Sequence, residues 1–341
     1  MAEIRFGLIG YGAWGGHHAR AITSVEGAEL AAICSRSDES RAQATADHPG
    51  ARVYADYREM LDAESLDVVD IVLPSDLHYV VACDVLAAGK HLLLEKPMAL
   101  GIQECNELVE RARHHGCLLA VGHELRLSSL WGKVKQLVDE GAIGEPLYAL
   151  IELWRNPYRQ GSGGWRYDLK RVGNWVLEEP IHFFDLARWY FARAGEPVSV
   201  YAQANGKRPD RPHLHDNFSA IVNFPEGRYA VISQSLLGWE HHQVAKLTGT
   251  SGSLIARWGG AMDRTFEPIH SLELHEGDKA VEVPLEKKSG EVYELVEEIE
   301  SMVRAVRDGS PLACTGEDGR WSVAMCLRAC ESIEHGRVVN F

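Results

Sequence analysis

The sequence predicts an α/β protein: an N-terminal doubly wound parallel sheet, then an α+β domain with an open, mainly antiparallel sheet. Three observations predict it. Up to about residue 122, near-continuous apolar runs alternate with helical patterns, as strands buried on both faces do. A glycine-rich turn joins the first run to the first helix. Beyond residue 122, strand-like runs follow one another with turn signals and no helix between them. The expected domains are residues 1–122 and 123–341.

In the first domain the apolar runs are 4–9, 29–34, 68–73, 91–94 and 117–121. Helical patterns cover 13–25, 37–47, 57–63, 79–88 and 102–114. In the second, a helix over 127–140 stops at Gly141, a strand covers 147–154, and a Gly- and aromatic-rich loop covers 156–173. A helix over 175–191 follows, and Pro180 must kink it or sit near its start. Strands are expected at 198–204, 218–224, 229–236, 243–248, 253–258, 271–275 and 280–283. Pro225-Glu226-Gly227-Arg228 is a hairpin turn between two of them. Helices over 292–308 and 318–335 close the chain.

The 341 residues, 45% hydrophobic and 25% charged, suffice for two domains with substantial cores. A net charge of −14 repels phosphate backbones, so nucleic acid is not an expected partner. No window approaches the run of about 18 apolar residues that a membrane span needs. The first residues lack the basic and apolar regions of a secretory signal. The seven cysteines, with no C-x-x-C pair, read as small core hydrophobes of a cytoplasmic protein. His213 and His215 share a strand face, but no further ligands accompany them, so no metal is expected.

Gly10-Tyr11-Gly12-Ala13-Trp14-Gly15 fits G-x-G-x-x-G in the right setting, after a strand and opening a helix. The first glycine permits the turn, the second lets backbone approach a pyrophosphate, and the third lets helix and strand pack closely. The helix N-terminus supplies unpaired N–H groups and positive potential. This predicts a nicotinamide dinucleotide held by the turn of a Rossmann unit. At the end of the second strand, where a carboxylate would bind the ribose of NAD, stand Ser35 and Arg36. A carboxylate repels a 2′-phosphate, whereas Ser and Arg can bind one, which favours NADP over NAD.

In a doubly wound sheet, ligands bind beyond the carboxyl ends of the strands. Pro74-Ser75-Asp76-Leu77-His78 and Glu95-Lys96-Pro97 both stand at such ends, so Pro74, His78, Glu95 and Lys96 join the expected cofactor site. Trp154, Arg155, Tyr158, Trp165, Arg166 and Tyr167 crowd the loop before His182. Aromatic faces beside planar donors suit a polyhydroxylated ring, and Trp165 and Arg166 are expected to bind substrate.

The glycine turn, the Pro74…His78 element, Glu95-Lys96-Pro97 and His182-x-x-Asp185 together resemble the Gfo/Idh/MocA oxidoreductases over essentially the whole chain. The resemblance implies an N-terminal Rossmann domain and a C-terminal domain with an open sheet. It also implies that Lys96 and a later acid-x-x-x-His pair face the substrate. That pair falls on Glu178 and His182, with Glu in place of the usual Asp and Pro180 where Gly is common. His123, Arg126 and Asp185 are carried over as substrate-binding.

The implied activity is hydride transfer between nicotinamide and a hydroxyl or keto carbon of a sugar, glycoside or polyol. Alcohol oxidation needs a general base, and a histidine titrates near neutral pH. His182 is therefore base or acid, Lys96 assists, and Glu178 orients a hydroxyl. Two alternatives use the same parts: glycoside cleavage through transient oxidation without net cofactor change, and a non-catalytic sugar or cofactor sensor. The resemblance also implies a homodimer or homotetramer, because a sheet with one bare apolar face demands cover.

Overall fold

The computed structural model describes residues 3–155, 161–238, 241–262 and 264–341. They form two compact units, residues 1–124 with 295–320, and residues 125–294 with 321–341.

In the first unit the strands are β1 (Ile4–Ile9), β2 (Ala28–Cys34), β3 (Arg52–Tyr54), β4 (Val68–Ile71), β5 (His91–Glu95) and β6 (Leu119–Gly122). All pair in parallel, in the order β3-β2-β1-β4-β5-β6. The order reverses between β1 and β4, which opens the strand-end crevice where such sheets bind ligands. Helices α1 (Ala13–Ser24), α2 (Asp38–Asp47), α3 (Tyr57–Ala63), α4 (His78–Ala87) and α5 (Ile102–His115) connect the strands. Their ends follow capping chemistry. Ser37 accepts from Ser40 N, Asp56 accepts from Arg58 N, and α5 stops at left-handed Gly116 after Arg113, His114 and His115. The edge strand β3 escapes a periodicity reading because it is three residues long and opens on an exposed arginine.

Residues 295–320, expected to lie with the second domain, pack with the first unit. Leu295, Ile299, Met302 and Val303 join Phe6, Leu8, Ile22 and Ile33 in one core. Farther on, Val121 N donates to Cys314 O at 3.2 Å. A Cβ on Gly319 would lie 2.7 Å from Val121, so only glycine lets the chain pass this close to β6.

The second unit carries β7 (Pro146–Trp154), β8 (Ser199–Asn205), β9 (Asn217–Asn223), β10 (Tyr229–Ser235), β11 (His242–Gly249), β12 (Ser253–Gly259), β13 (Ile269–Glu276), β14 (Lys279–Glu282) and β15 (Val339–Asn340). Their order is β14-β13-β12-β11-β7-β10-β9-β8-β15. Only β7 and β10 pair in parallel; every other pair is antiparallel. Period-two alternation buries Ala149, Ile151 and Leu153 of β7 with Ala230 and Ile232 of β10 and Phe218, Ala220 and Val222 of β9.

Helices α6 (Trp131–Asp139), α7 (Leu169–Val172), α8 (Trp175–Glu178) and α9 (Ile181–Tyr190) follow the Rossmann strands. The α6 helix starts later than its apolar pattern suggests, because Ser128 Oγ accepts from Leu130 N and Trp131 N at 3.1 and 3.2 Å. The single helix expected over 175–191 is two, parted at Glu179 and Pro180, with Pro180 at the N-cap of α9. The chain closes with α10 (Glu291–Asp308) and α11 (Gly316–His335). All seven cysteines are free thiols. Among the described residues no helix is long and apolar enough to cross a membrane.

Glu294, in the first turn of α10, is a buried carboxyl. Its Oε1 accepts from Ser289 Oγ and Gly290 N at 3.0 and 2.9 Å, while Oε2 has no hydrogen-bond partner among the described residues. Burial pushes its pKa up to about 7, against opposing hydrogen bonds from Ser128, Ser289 and Gly290. The folded chain thus keeps a proton that the unfolded chain releases near the ordinary glutamate value. The stability it contributes is complete below that value and is lost as pH rises through about 7. Glu294→Gln is expected to flatten the fall in melting temperature between acid and alkaline pH. A fall as steep as that of the unaltered chain would contradict this assignment.

Candidate active site

The site of the first unit starts at the glycine turn. Gly10 has φ +108°, and a Cβ there would lie 2.1 Å from Val72 O. A Cβ on Gly15 would lie 1.9 Å from Gly10 O. Neither position tolerates a side chain. Gly12 differs: nothing lies within 4 Å of its Cβ position, and it N-caps α1 without a side-chain cap. No acidic residue stands in the first turn of α1. An open approach to the N-terminus of α1, with no acidic residue in its first turn, fits a dinucleotide diphosphate.

Glu95 ends β5 and joins this turn to the strand-end lysine. Trp14 Nε1 donates to Glu95 Oε1 at 2.7 Å, and Lys96 N donates to Glu95 Oε2 at 3.1 Å. His18 Nε2 lies 3.1 Å from Oε1. Burial alone pushes the Glu95 carboxyl up, but the His18 hydrogen bond and charge, the Lys96 charge and the Trp14 indole hold it down at about 2. His78 clamps the other side of this loop. Its Nδ1 lies 2.7 Å from Pro97 O and its Nε2 2.8 Å from Leu73 O, so Pro74…His78 and Glu95-Lys96-Pro97 do come together. Both Glu95 and His78, expected as cofactor contacts, are buried and spend their polar atoms inside the unit.

Ser35 and Arg36 follow β2, with Arg36 exposed. A second cation organises this turn: Arg41 Nη1 donates to the carbonyls of Ser35 and Arg36 at 2.9 and 2.7 Å, and Arg41 pairs with Asp38. Arg41 lies within a helical pattern, where spacing alone gives it no special standing. His123, just beyond β6, is 2% exposed.

In the second unit, Glu178 ends α8 and His182 is the second residue of α9, so Pro180 sets the turn between them. Glu178 is buried, with Arg166 Nε 3.7 Å from its Oε2, while His182 is half-buried. Arg155 Nη1 donates to Glu179 Oε2 at 2.8 Å, and Arg166 Nη1 lies 3.9 Å from Glu179 Oε1. Two arginines thus face two glutamates. Glu179, the acid beside the expected one, was concealed by the doublet Glu178-Glu179. Trp165 packs on a core of Val172, Trp175, Leu214 and Leu236, and the Arg166 guanidinium lies 5.4 Å from its ring centre. Tyr167 stacks under Arg211 at 3.9 Å. Tyr158 lies outside the described residues.

Arg126 and Asp185, both expected to bind substrate, bind each other. Arg126 Nε and Nη2 donate to the two Asp185 oxygens, each at 2.7 Å, and Ser322 Oγ adds a third bond at 3.2 Å. Both residues are buried.

Residues 4–123 match the description "Oxidoreductase family, NAD-binding Rossmann fold", and residues 131–255 match the "GFO/IDH/MocA C-terminal domain". An inositol 2-dehydrogenase of Acidothermus cellulolyticus is 30% identical over 74% of this chain and 72% of its own. The chain belongs to the Gfo/Idh/MocA oxidoreductase family. A 1,5-anhydro-D-fructose reductase of Ensifer adhaerens is 25% identical over 98% of both chains. The fold is also that of an oxidoreductase from Agrobacterium radiobacter solved with NAD+, L-tartaric acid and magnesium. That structure has a TM-score of 0.86 and 19% identity, covering 99% of this chain and 98% of its own. As a member of this family the protein is an oxidoreductase with an NAD-binding Rossmann domain.

The Arg126–Asp185 geometry yields a prediction about stability. Arg126→Ala leaves a buried carboxylate without its partner and is expected to cost about 3–5 kcal/mol in urea unfolding. An equally stable variant with a raised KM would instead put Arg126 on the substrate.

Proposed function

We propose that this chain is an NAD(P)-dependent dehydrogenase or reductase of a sugar, glycoside or polyol, with NADP preferred. One observation carries the reading. The Glu95 carboxylate binds both the glycine-turn indole and the Lys96 backbone, tying a lysine at a strand end to the dinucleotide turn. Relatives named inositol 2-dehydrogenase and 1,5-anhydro-D-fructose reductase support a cyclic polyol or sugar as substrate.

The bound nicotinamide supplies a hydride acceptor or donor. The protein's residues handle the proton and the orientation. In this reading Lys96 holds and polarises the reacting oxygen, His182 takes or returns its proton, and Glu178 orients a neighbouring hydroxyl. Gly12 and the N–H groups of Ala13 and Trp14 hold the diphosphate, with Gly10 and Gly15 shaping the turn. Pro74, His78 and Glu95 frame the nicotinamide end, and Ser35 and Arg36 receive the 2′-phosphate. His123, Trp165 and Arg166 shape the substrate pocket. The active assembly is a homodimer or homotetramer of a cytoplasmic enzyme. The half-open sheet face, with Trp154, Ile221 and Tyr229 all exposed, supports this assembly.

A screen of inositols, anhydrosugars, aldoses and glycosides tests the activity, read at the reduced-nicotinamide absorbance. Turnover with at least one is expected. Substrate breakdown without net absorbance change would favour transient oxidation, and no turnover with any would oppose the reading. Lys96→Ala is expected to lower kcat by about 10²–10⁴-fold while cofactor binding persists. An unchanged kcat would remove Lys96 from the chemistry. Fluorescence titration is expected to give tighter NADP than NAD binding. Arg36→Ala should weaken NADP by about 10-fold or more and spare NAD, since a charge-assisted hydrogen bond contributes about 1.5–3 kcal/mol. Tighter NAD binding in the unaltered chain would overturn the preference.

A further inference from the structure

His18 lies three residues beyond the glycine motif, on the buried side of α1, and is 1% exposed. Its Nδ1 is 2.8 Å from Asp70 Oδ2 on β4, and its Nε2 is 3.1 Å from Glu95 Oε1 on β5. Ionised carboxylates only accept hydrogen bonds, whereas a neutral imidazole has one N–H. Facing two ionised carboxylates at these distances, the ring needs a proton on each nitrogen.

Burial raises the Asp70 carboxyl above its ordinary value, against the charge and hydrogen bond of His18, which favour its ionised form. Burial pulls the imidazolium down, but the charges and hydrogen bonds of Asp70 and Glu95 outweigh it and raise His18 well above its ordinary value. Glu298 of α10, buried beside the same groups, would add a third negative charge. Burial and the charge of Glu95 raise it well above the ordinary carboxyl range, which favours its neutral form. The Trp14 ring also lies edge-on to His18 at 5.3 Å.

We propose that His18 is a positioning residue: a buried imidazolium that fixes the Glu95 carboxylate and, through it, holds the glycine turn and the Lys96 backbone in one register. The geometry explains why one ring serves. In the sheet β4 stands between β1, which feeds the glycine turn, and β5, which ends at Glu95 just before Lys96. His18 reaches from α1 across to both β4 and β5, so three segments of the strand-end crevice are bound to a single charge. A histidine that merely filled space would need neither second carboxylate. The catalytic consequence rests on the reading of Lys96 given above.

The unaltered full chain provides the first test. With ¹⁵N-histidine labelling, both His18 ring nitrogens are expected to be protonated at pH 8. A neutral ring with one N–H would overturn the proposal. His18→Gln is expected to raise hydrogen exchange at the Lys96 amide and to lower kcat by about 10–100-fold, with KM little changed, as for a misplaced reacting group. Because His18 acts through Glu95, the double variant His18→Gln/Glu95→Gln should lose no more kcat than Glu95→Gln alone. Additive losses, or an unchanged Lys96 amide, would overturn it. Should His18→Gln fail to fold, the nitrogen shifts and the Lys96 exchange in Glu95→Gln decide. Lys96→Ala run alongside separates the two readings. If it retains full turnover, the assignment of Lys96 fails, while the nitrogen shifts and amide exchange still judge His18.

Discussion

A carboxylate taken out of water must be met by donors, or it will take up a proton or unfold its surroundings. Glu95 is met by three: the Trp14 indole, the His18 ring and the Lys96 amide. Trp14, inside the glycine motif, and His18 both stand on α1, whereas Lys96 directly follows β5. The carboxylate leaves these segments little freedom to move apart. Gly122, paired with Glu95 across β5 and β6, leaves room for it, since a Cβ there would come within 3.4 Å of Oε1.

The second unit solves a similar problem with different groups. Pro180 interrupts what would be one helix and turns Glu178 and His182 onto separate short helices. Arg155 and Arg166 compensate the Glu178–Glu179 pair. The buried Arg126–Asp185 fork secures α9.

Much of this was legible in the sequence, for identifiable reasons. Except for the short edge strand β3, the strands of the first sheet are largely apolar runs, and β1 and α3 have the expected bounds. The glycine turn was legible because its steric demands leave no other residue at Gly10 or Gly15. The hairpin at Pro225 was legible from turn chemistry, and Phe224 N closes it on Arg228 O at 2.8 Å. Partnerships across the chain were not legible. Nothing in residues 295–320 announces that they return to the first core. Asp70, inside an apolar strand, gives no sign that it faces His18. Arg126 and Asp185 stand 59 positions apart, and each looks like a free polar group until the fold joins them. Charged residues near a site motif invite a functional role, whereas burial makes them supports.

The central claim is that the Glu95 carboxylate couples the dinucleotide turn to the strand-end lysine. The most direct measurement is the dissociation constant of NADP for Glu95→Gln beside the unaltered chain. This account predicts weaker binding by about 10-fold, the equivalent of about 1.4 kcal/mol, because the turn loses the charge that orders Trp14. Equal affinity in the two proteins would contradict it.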